Sequence, residues 1–293
     1  VTRDKNNQKS EVRRPKFVFA KKSLGQNFLV DGDYIQKIIA ALSLNSEDTV
    51  IEIGPGRGAL TEKLLEKAGQ VVAVEIDNYL VPFLEEKFSG NNNFSVVHED
   101  ALELDFHALC ETSIENSEQL KVNSAKLVAN LPYYISTAIL QRLIDQRECF
   151  SELILMLQRE VVERITAEPG DSERGFLTVL VEAYMRAGKL FDVPPEAFRP
   201  APNVWSSVVR LIPKSVEEAG IADEKLFREL ISAGFAYKRK TILNNFKNAP
   251  PKLKEKWVDA QKFLESCGID PRRRAETLTL AEWKLLNKNL SKD

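Results

Sequence analysis

Apolar and polar positions fall into a helical rhythm just after residue 30. Tyr34, Ile35, Ile38, Ile39 and Leu42 recur at spacings of three and four behind Asp31, the pattern of one apolar helix face preceded by a capping carboxylate. From residue 49 short apolar runs alternate with longer amphipathic stretches. The runs Thr49–Ile53, 70–76, 94–97, 126–129 and 153–157 predict buried strands. Helices are predicted over 59–67, after the 70–76 run to about Phe88, and from about 136 to 145. Buried strands separated by helical segments predict βαβ units and a parallel sheet. Residues 98–125, polar from Glu111 to Ser124, are expected to form an irregular surface excursion.

The rhythm then changes. Residues 189–193 and 205–212 flank a proline-rich loop that contains Pro194, Pro195, Phe198, Pro200 and Pro202, and two strands joined this closely predict antiparallel neighbours. Beyond Pro213 the pattern is helical over 223–234, 238–247, 252–265 and 279–290. The expected organisation is a flexible basic arm over 1–22, an α/β domain over 23–214 with a terminal antiparallel hairpin, and a small all-helical domain over 215–293. A chain of 293 residues is long enough for two such domains.

Composition narrows the function classes. With 43% hydrophobic and 29% charged residues, the chain can build a real core. No apolar run approaches the roughly 18–20 residues that cross a membrane. The polar, charged start predicts no secretory signal, and a cytoplasmic protein is expected. Cys110, Cys149 and Cys267 are far apart and odd in number, which argues against a disulfide framework or a structural zinc site. With His98 and His107 the sole histidines, neither a histidine metal centre nor Ser-His-Asp chemistry is expected. The net charge of −2 hides an uneven distribution. Residues 1–22 carry eight Lys/Arg against two acids and residues 237–293 fourteen against seven, which leaves −15 for the body between them. A basic head and tail around an acidic body suit a polyanion partner, or else are solvated surface.

The sharpest local feature is Val50-Ile51-Glu52-Ile53-Gly54-Pro55-Gly56-Arg57-Gly58, a strand that runs into a glycine-rich turn and then a helix. Glycines let a ligand approach the backbone, and the helix start offers unpaired N–H groups. Glu75 ends the next strand, where a carboxylate can accept both hydroxyls of a ribose. A nicotinamide dehydrogenase would want GxGxxG, whereas the spacing here is GxGxG. Glu52 before the first glycine would oppose a pyrophosphate and suits the cationic end of S-adenosylmethionine. A tight turn without a ligand is the third reading. Asp100, after the third strand, can accept an adenine amino group or simply cap a loop.

After the fourth strand comes Asn130-Leu131-Pro132-Tyr133-Tyr134-Ile135-Ser136-Thr137. An adenine exocyclic amine is a poor nucleophile because its lone pair is delocalised into the ring. The Asn130 side-chain oxygen and a backbone carbonyl near Leu131 can take its two hydrogens and hold the nitrogen in line with a methyl group. Pro132 stiffens the turn and Tyr133 can stack on the base. Such positioning supplies several kcal/mol, up to about 7–11 in favourable cases.

These motifs, together with Lys22-Ser23-Leu24-Gly25-Gln26-Asn27-Phe28-Leu29, resemble the ribosomal RNA adenine N6-dimethyltransferases, in particular the bacterial small-subunit branch linked to kasugamycin sensitivity. Further matches are Met156-Leu157-Gln158-Arg159-Glu160, Phe198-Arg199-Pro200-Ala201-Pro202-Asn203-Val204, the segment from Ala236 to Asn245, and Arg274-Ala275-Glu276-Thr277-Leu278. The resemblance runs from about Lys21 to Leu286. It implies a class I S-adenosylmethionine-dependent, Rossmann-like methyltransferase sheet. The implied activity is dimethylation of two adjacent adenosines near the 3′ end of small-subunit (16S) rRNA.

The resemblance implies that Asn27 and Leu29 cover the cofactor, that Gly54 lies at its methionine end and Gly56 also binds it, with Glu75 at the ribose, Asp100 at the adenine and Asn130 between cofactor and amine. Tyr133 would stack on the flipped base, and Phe198 would be the second wall or a core residue. Three departures stand out: a longer arm before Lys21, Arg174-Gly175-Phe176 where Tyr-Gly is frequent, and Trp205 where Asp is common. RNA contacts are expected from Arg13, Arg14, Lys16, Lys21 and Lys22, from Lys238, Arg239 and Lys240, and from Arg272, Arg273 and Arg274. The expected partner is the small ribosomal subunit with its rRNA, bound by a monomer without a metal. The rivals are a large-subunit rRNA methyltransferase of the macrolide-resistance type and a non-catalytic RNA-binding assembly factor.

Overall fold

The computed structural model describes residues 25–115 and 125–291. The arm predicted for 1–22, with Arg13, Arg14, Lys16, Lys21 and Lys22, lies outside them. The described chain opens with β1 (Phe28–Leu29) and the helix α1 (Gly32–Ala41), whose first turn Asp31 caps by accepting from the amides of Asp33 and Tyr34. The parallel strands β2 (Thr49–Ile53), β3 (Gln70–Glu75), β4 (Phe94–His98), β5 (Ala125–Asn130) and β6 (Phe150–Gln158) alternate with α2 (Ala59–Leu65), α3 (Leu80–Lys87), α4 (Phe106–Glu115) and α5 (Ser136–Asp145). Two further helices, α6 (Arg159–Ile165) and α7 (Phe176–Tyr184), lead to β7 (Met185–Val193), the two-residue β8 (Phe198–Arg199) and β9 (Ser206–Pro213).

The seven-stranded sheet has the order β4-β3-β2-β5-β6-β9-β7, and β9 is antiparallel to both its neighbours. Five parallel strands followed by an inverted hairpin form the Rossmann-like sheet expected from the sequence. The strand order reverses between β2 and β5, so the crevice of such a sheet opens above their carboxyl ends. A second small sheet pairs β1 antiparallel with β8, Phe28 opposite Arg199 and Leu29 opposite Phe198. It clamps the N-terminal segment onto the proline-rich loop.

Three expectations need correction. Residues 98–125 include the helix α4, fixed at its start by a 2.7 Å bond from the Phe106 amide to Gln146 Oε1. The segment predicted as one helix over 252–265 is two, α11 (Pro251–Lys254) and α12 (Ala260–Ser266). Asp259 restarts the helix by accepting from the amides of Gln261 and Lys262. The helix predicted from 238 starts instead at Ile242, where Thr241 Oγ1 caps α10 (Ile242–Lys247). The remaining helices are α8 (Val216–Ala219), α9 (Glu224–Gly234) and α13 (Leu280–Leu290). No helix among the described residues is long and apolar enough to cross a membrane.

The helices beyond Pro213 share one apolar cluster with the sheet. Phe227, Leu230, Trp283 and Leu286 are fully buried with Leu180 and Tyr184 of α7. Arg147 lies over the Tyr184 ring at 4.5 Å and pairs with Glu224 of α9 at 2.5 Å, while Arg228 pairs with Asp145 of α5. At the centre of this junction Gly234 faces Trp283: a Cβ added there would stand 2.3 Å from Cη2 of the indole.

An Ala at this helical position would gain up to about 1 kcal/mol of helix propensity. Forcing a methyl into a filled core costs about 1–3 kcal/mol. Gly234→Ala is therefore expected to lower Tm. Combined with Trp283→Phe, it should destabilise less than the sum of the two single changes, measured by thermal or denaturant unfolding.

Candidate active site

Above the carboxyl ends of β2, β3, β4 and β5 lies a cavity of about 240 Å³. Gly54 and Gly56 form its floor, Glu75 and Ile76 one side, and Asp100, Ala101 and Leu102 the next. Asn130, Leu131, Pro132 and Tyr133 close the far end, and Gly25 to Phe28 cross the mouth. The glycine turn brings the backbone close because its dihedrals and its neighbours both exclude a side chain. Gly56 has φ +57°, and a Cβ on it would stand 2.8 Å from the Phe28 ring. Gly58 has φ +77°, and its Cβ would stand 2.6 Å from Phe88.

The segment before β1 is tied down at each step. Gln26 Nε2 donates to Asp77 Oδ2 at 3.1 Å, and the Arg57 guanidinium lies 4.8 Å from the Phe28 ring centre. Asn130 Nδ2 donates to the Asn27 carbonyl at 3.0 Å, which leaves Asn130 Oδ1 as the acceptor without a bond among the described residues. Tyr133 OH and Ser206 Oγ are 2.7 Å apart, so the start of β9 holds the tyrosine, and burial pushes the phenol pKa up. Asp100 Oδ1 accepts from the Leu102 amide at 2.9 Å. Glu75 Oε1 accepts from the Asp77 amide at 2.9 Å. Burial raises the Glu75 pKa, against the opposing pull of backbone N–H groups at Asp77, Gly56 and Ile76.

Asn27, Gly54, Gly56, Glu75, Asp100, Asn130, Leu131, Pro132 and Tyr133 thus meet around one cavity. Leu29 and Phe198 do not. They face each other across the small sheet and are 5% and 1% exposed in the apolar cluster beneath α1, so packing is what they do here. Glu52 is not a wall of the cavity either. It is 2% exposed beneath the glycine turn and accepts from Thr61 Oγ1 at 2.6 Å, and burial pushes its pKa up to about 7. Gln26 and Phe28 escaped the sequence reading as site residues, although their motif was visible. So did the apolar walls Ile76 and Leu102, whose signal is an apolar residue just after each strand-end acid.

The charge of the lining separates the cofactor readings. Glu75, Glu99 and Asp100 line the cavity, while among the described residues no Lys, Arg or His does. Among the described lining residues a pyrophosphate would meet carboxylates and no cation, whereas a nucleoside that carries cationic groups is well matched.

A family model described as ribosomal RNA adenine dimethylase matches residues 19–286. The chain belongs to this family. Ribosomal RNA small subunit methyltransferase A of Geobacillus thermodenitrificans (strain NG80-2) is 42% identical over 270 residues, 92% of this chain and 90% of its own length. The protein of the same name from Clostridium botulinum (strain ATCC 19397 / Type A) is 42% identical over 281 residues, 96% of this chain and 97% of its own. The crystal structure of a dimethyladenosine transferase from Plasmodium falciparum superposes with a TM-score of 0.75 at 28% identity, covering 90% of this chain and 98% of that one. The 23S rRNA methyltransferase ErmE shares the fold, with a TM-score of 0.63 at 24% identity over 90% of this chain and 99% of its own.

The basic clusters fare unequally. The Ile242 amide donates to the Arg273 carbonyl at 2.7 Å and the Leu243 amide to the Pro271 carbonyl at 3.3 Å, which sets the two segments side by side. Lys238, Arg239, Lys240, Arg272 and Arg274 are exposed there. Arg273 is a correction: its guanidinium pairs with Glu282 and donates to the Thr277 carbonyl at 2.6 Å and Thr277 Oγ1 at 3.2 Å, so it is spent on holding α13. Arg272 is paired with Asp270 at 3.0 Å but stays open to solvent.

Glu52 has a measurable consequence. Its carboxyl ionises near 4.5 in a solvated chain and near 7 when folded. Between those values the folded state holds a proton that the unfolded state has lost. The stability tied to the neutral carboxyl is therefore full below pH 4.5 and is lost as pH rises through about 7. Glu52→Gln cannot ionise and still accepts from Thr61. It should melt like the parent near pH 5 and above it at pH 8, by up to about 3 kcal/mol, in thermal unfolding at both pH values.

Proposed function

We propose that the chain uses S-adenosylmethionine to dimethylate N6 of two adjacent adenosines near the 3′ end of small-subunit (16S) rRNA. The observation that carries this reading is the placement of Asn130-Leu131-Pro132-Tyr133 beside the glycine turn, on a cavity lined by carboxylates and, among the described residues, by no cation. The branch of the family is supported by the relatives named ribosomal RNA small subunit methyltransferase A, which match over nine-tenths or more of both chains.

The residues present fit the cofactor. Glu75 would hold the ribose hydroxyls, Asp100 Oδ2 would accept from the adenine amine between Ile76 and Leu102, and the 54–56 turn would lie against the methionine end. When bound, S-adenosylmethionine supplies an electrophilic methyl on a sulfonium. Asn130 Oδ1 and the backbone carbonyl of Leu131 would accept the two hydrogens of the target amine. That arrangement localises the lone pair and aims it at the methyl carbon. The target amine would release its proton only after the transfer, while Asn130 and the Leu131 carbonyl hold the nitrogen in place. Positioning does the work, and no side chain needs to act as a base before attack. Tyr133, pinned by Ser206, would stack on the extruded base.

Extruding a base costs a few kcal/mol. On this reading the exposed cations around Lys238, Arg239, Lys240, Arg272 and Arg274, in the helical part over 215–293, offset that cost through phosphate contacts. Binding should then weaken steeply with salt.

Incubation of unmethylated small subunits with the protein and S-adenosylmethionine should yield N6,N6-dimethyladenosine by nucleoside mass spectrometry. Asn130→Ala should slow methylation by about 10²–10³-fold while subunit binding stays within about twofold. A parent protein that binds subunits and leaves both rRNAs unmodified would instead establish an assembly factor.

A further inference from the structure

Trp205 has a different standing from the other two tryptophans. Trp283 is fully buried, and Trp257 is stacked between Phe246 and Phe263 with ring centres 5.2 and 5.7 Å away. Trp205 is 47% exposed, and its ring has no aromatic or cationic partner among the described residues. Its backbone is nonetheless fixed: its carbonyl accepts from the Arg159 amide at 3.0 Å, and Ser206 pairs with Gln158 in the sheet ladder. Ser206 is also the residue that holds the Tyr133 hydroxyl. A large apolar ring is thus presented to solvent on a rigid backbone, one residue from the clamp of the cavity-lining tyrosine.

We propose that Trp205 is a stacking platform for the nucleobase next to the target adenosine. The proposal rests on the rRNA reading. When one of two adjacent adenosines enters the cavity, its neighbour loses a stacking partner at the mouth. An indole held one residue from the Ser206 clamp of Tyr133 replaces the lost stack, and the same platform serves when the two bases exchange places. Stacking is indifferent to base identity, because every base has a π-face. The platform therefore holds a strand in place and leaves selection of the adenine amine to Asn130.

The test is intrinsic fluorescence of the full chain titrated with a single-stranded hexamer of adenosines, followed by steady-state kinetics on unmethylated small subunits. The parent emission should be quenched by the hexamer, and Trp205→Phe should remove the quench. Trp205→Ala should raise KM for subunits about tenfold, with Trp205→Phe recovering most of it and the affinity for S-adenosylhomocysteine unchanged in both. A quench that persists in Trp205→Phe, an unquenched parent, or an unchanged KM in Trp205→Ala overturns the platform. Dimethyladenosine formation by the parent is read separately, so the platform can fail while the rRNA reading stands, and the reverse.

Discussion

The site depends on a place where no side chain fits. The turn after β2 is pressed between Phe28 on one side and Phe88 on the other, with room for neither a Cβ at Gly56 nor one at Gly58. Those two contacts bring the N-terminal segment and the end of α3 against the same few backbone atoms. Because the turn is bare, the cavity floor is main chain. Because Phe28 is seated on it, the segment that leads into β1 must cross the mouth, where the Asn27 carbonyl receives the Asn130 amide, while β1 itself pairs with β8. One steric constraint thus sets the floor, the cover and the orientation of the amide that closes the far end.

Electrostatics then restricts what the cavity can hold. Glu52 is buried beneath the turn and tied to Thr61, outside the cavity lining, so the carboxylates that meet a ligand are those at the ends of β3 and β4. Spacing along the chain suggested that Glu52 itself would face the ligand. The side-chain alternation along β2 decides otherwise, because it sends Glu52 to the same face as buried Val50. The adverse free energy of that burial is held by the local fold rather than spent on the ligand.

Much of the sheet was legible because β2, β3 and β5 are short, continuous apolar runs with both faces covered. The motifs at their carboxyl ends were legible for the same reason: once the strands are placed, the sheet order brings Gly54, Glu75, Asp100 and Asn130 to one edge. What escaped had no period to read. The strands β1 and β8 are two residues each. The helix α7 is buried on nearly every side, from Leu177 to Tyr184, so it shows no amphipathic stripe. Phe198 and Leu29 carry family motifs yet pack inward, since a motif records that a residue matters without recording which way it points. Arg273 lies in a run of three arginines, and the choice of which one becomes structural is made by Glu282, nine residues further along the chain.

The join between sheet and helices bears on how an RNA could reach the cavity. Separating α9 and α13 from α7 would expose Phe227, Leu230, Trp283 and Leu286, each worth about 1.5–3 kcal/mol of burial, and would strip Arg147 of its partner. That total is several times the few kcal/mol needed to unstack one base. A hinge between the exposed cations and the cavity is therefore the expensive way to bring a target adenosine into place, and deformation of the RNA is the cheap one. Rigid protein and yielding RNA also fit a pocket that positions an amine without supplying a base. Asn130 can aim a lone pair as long as Asn27, Tyr133 and the turn hold still around it, and the shared core keeps them still.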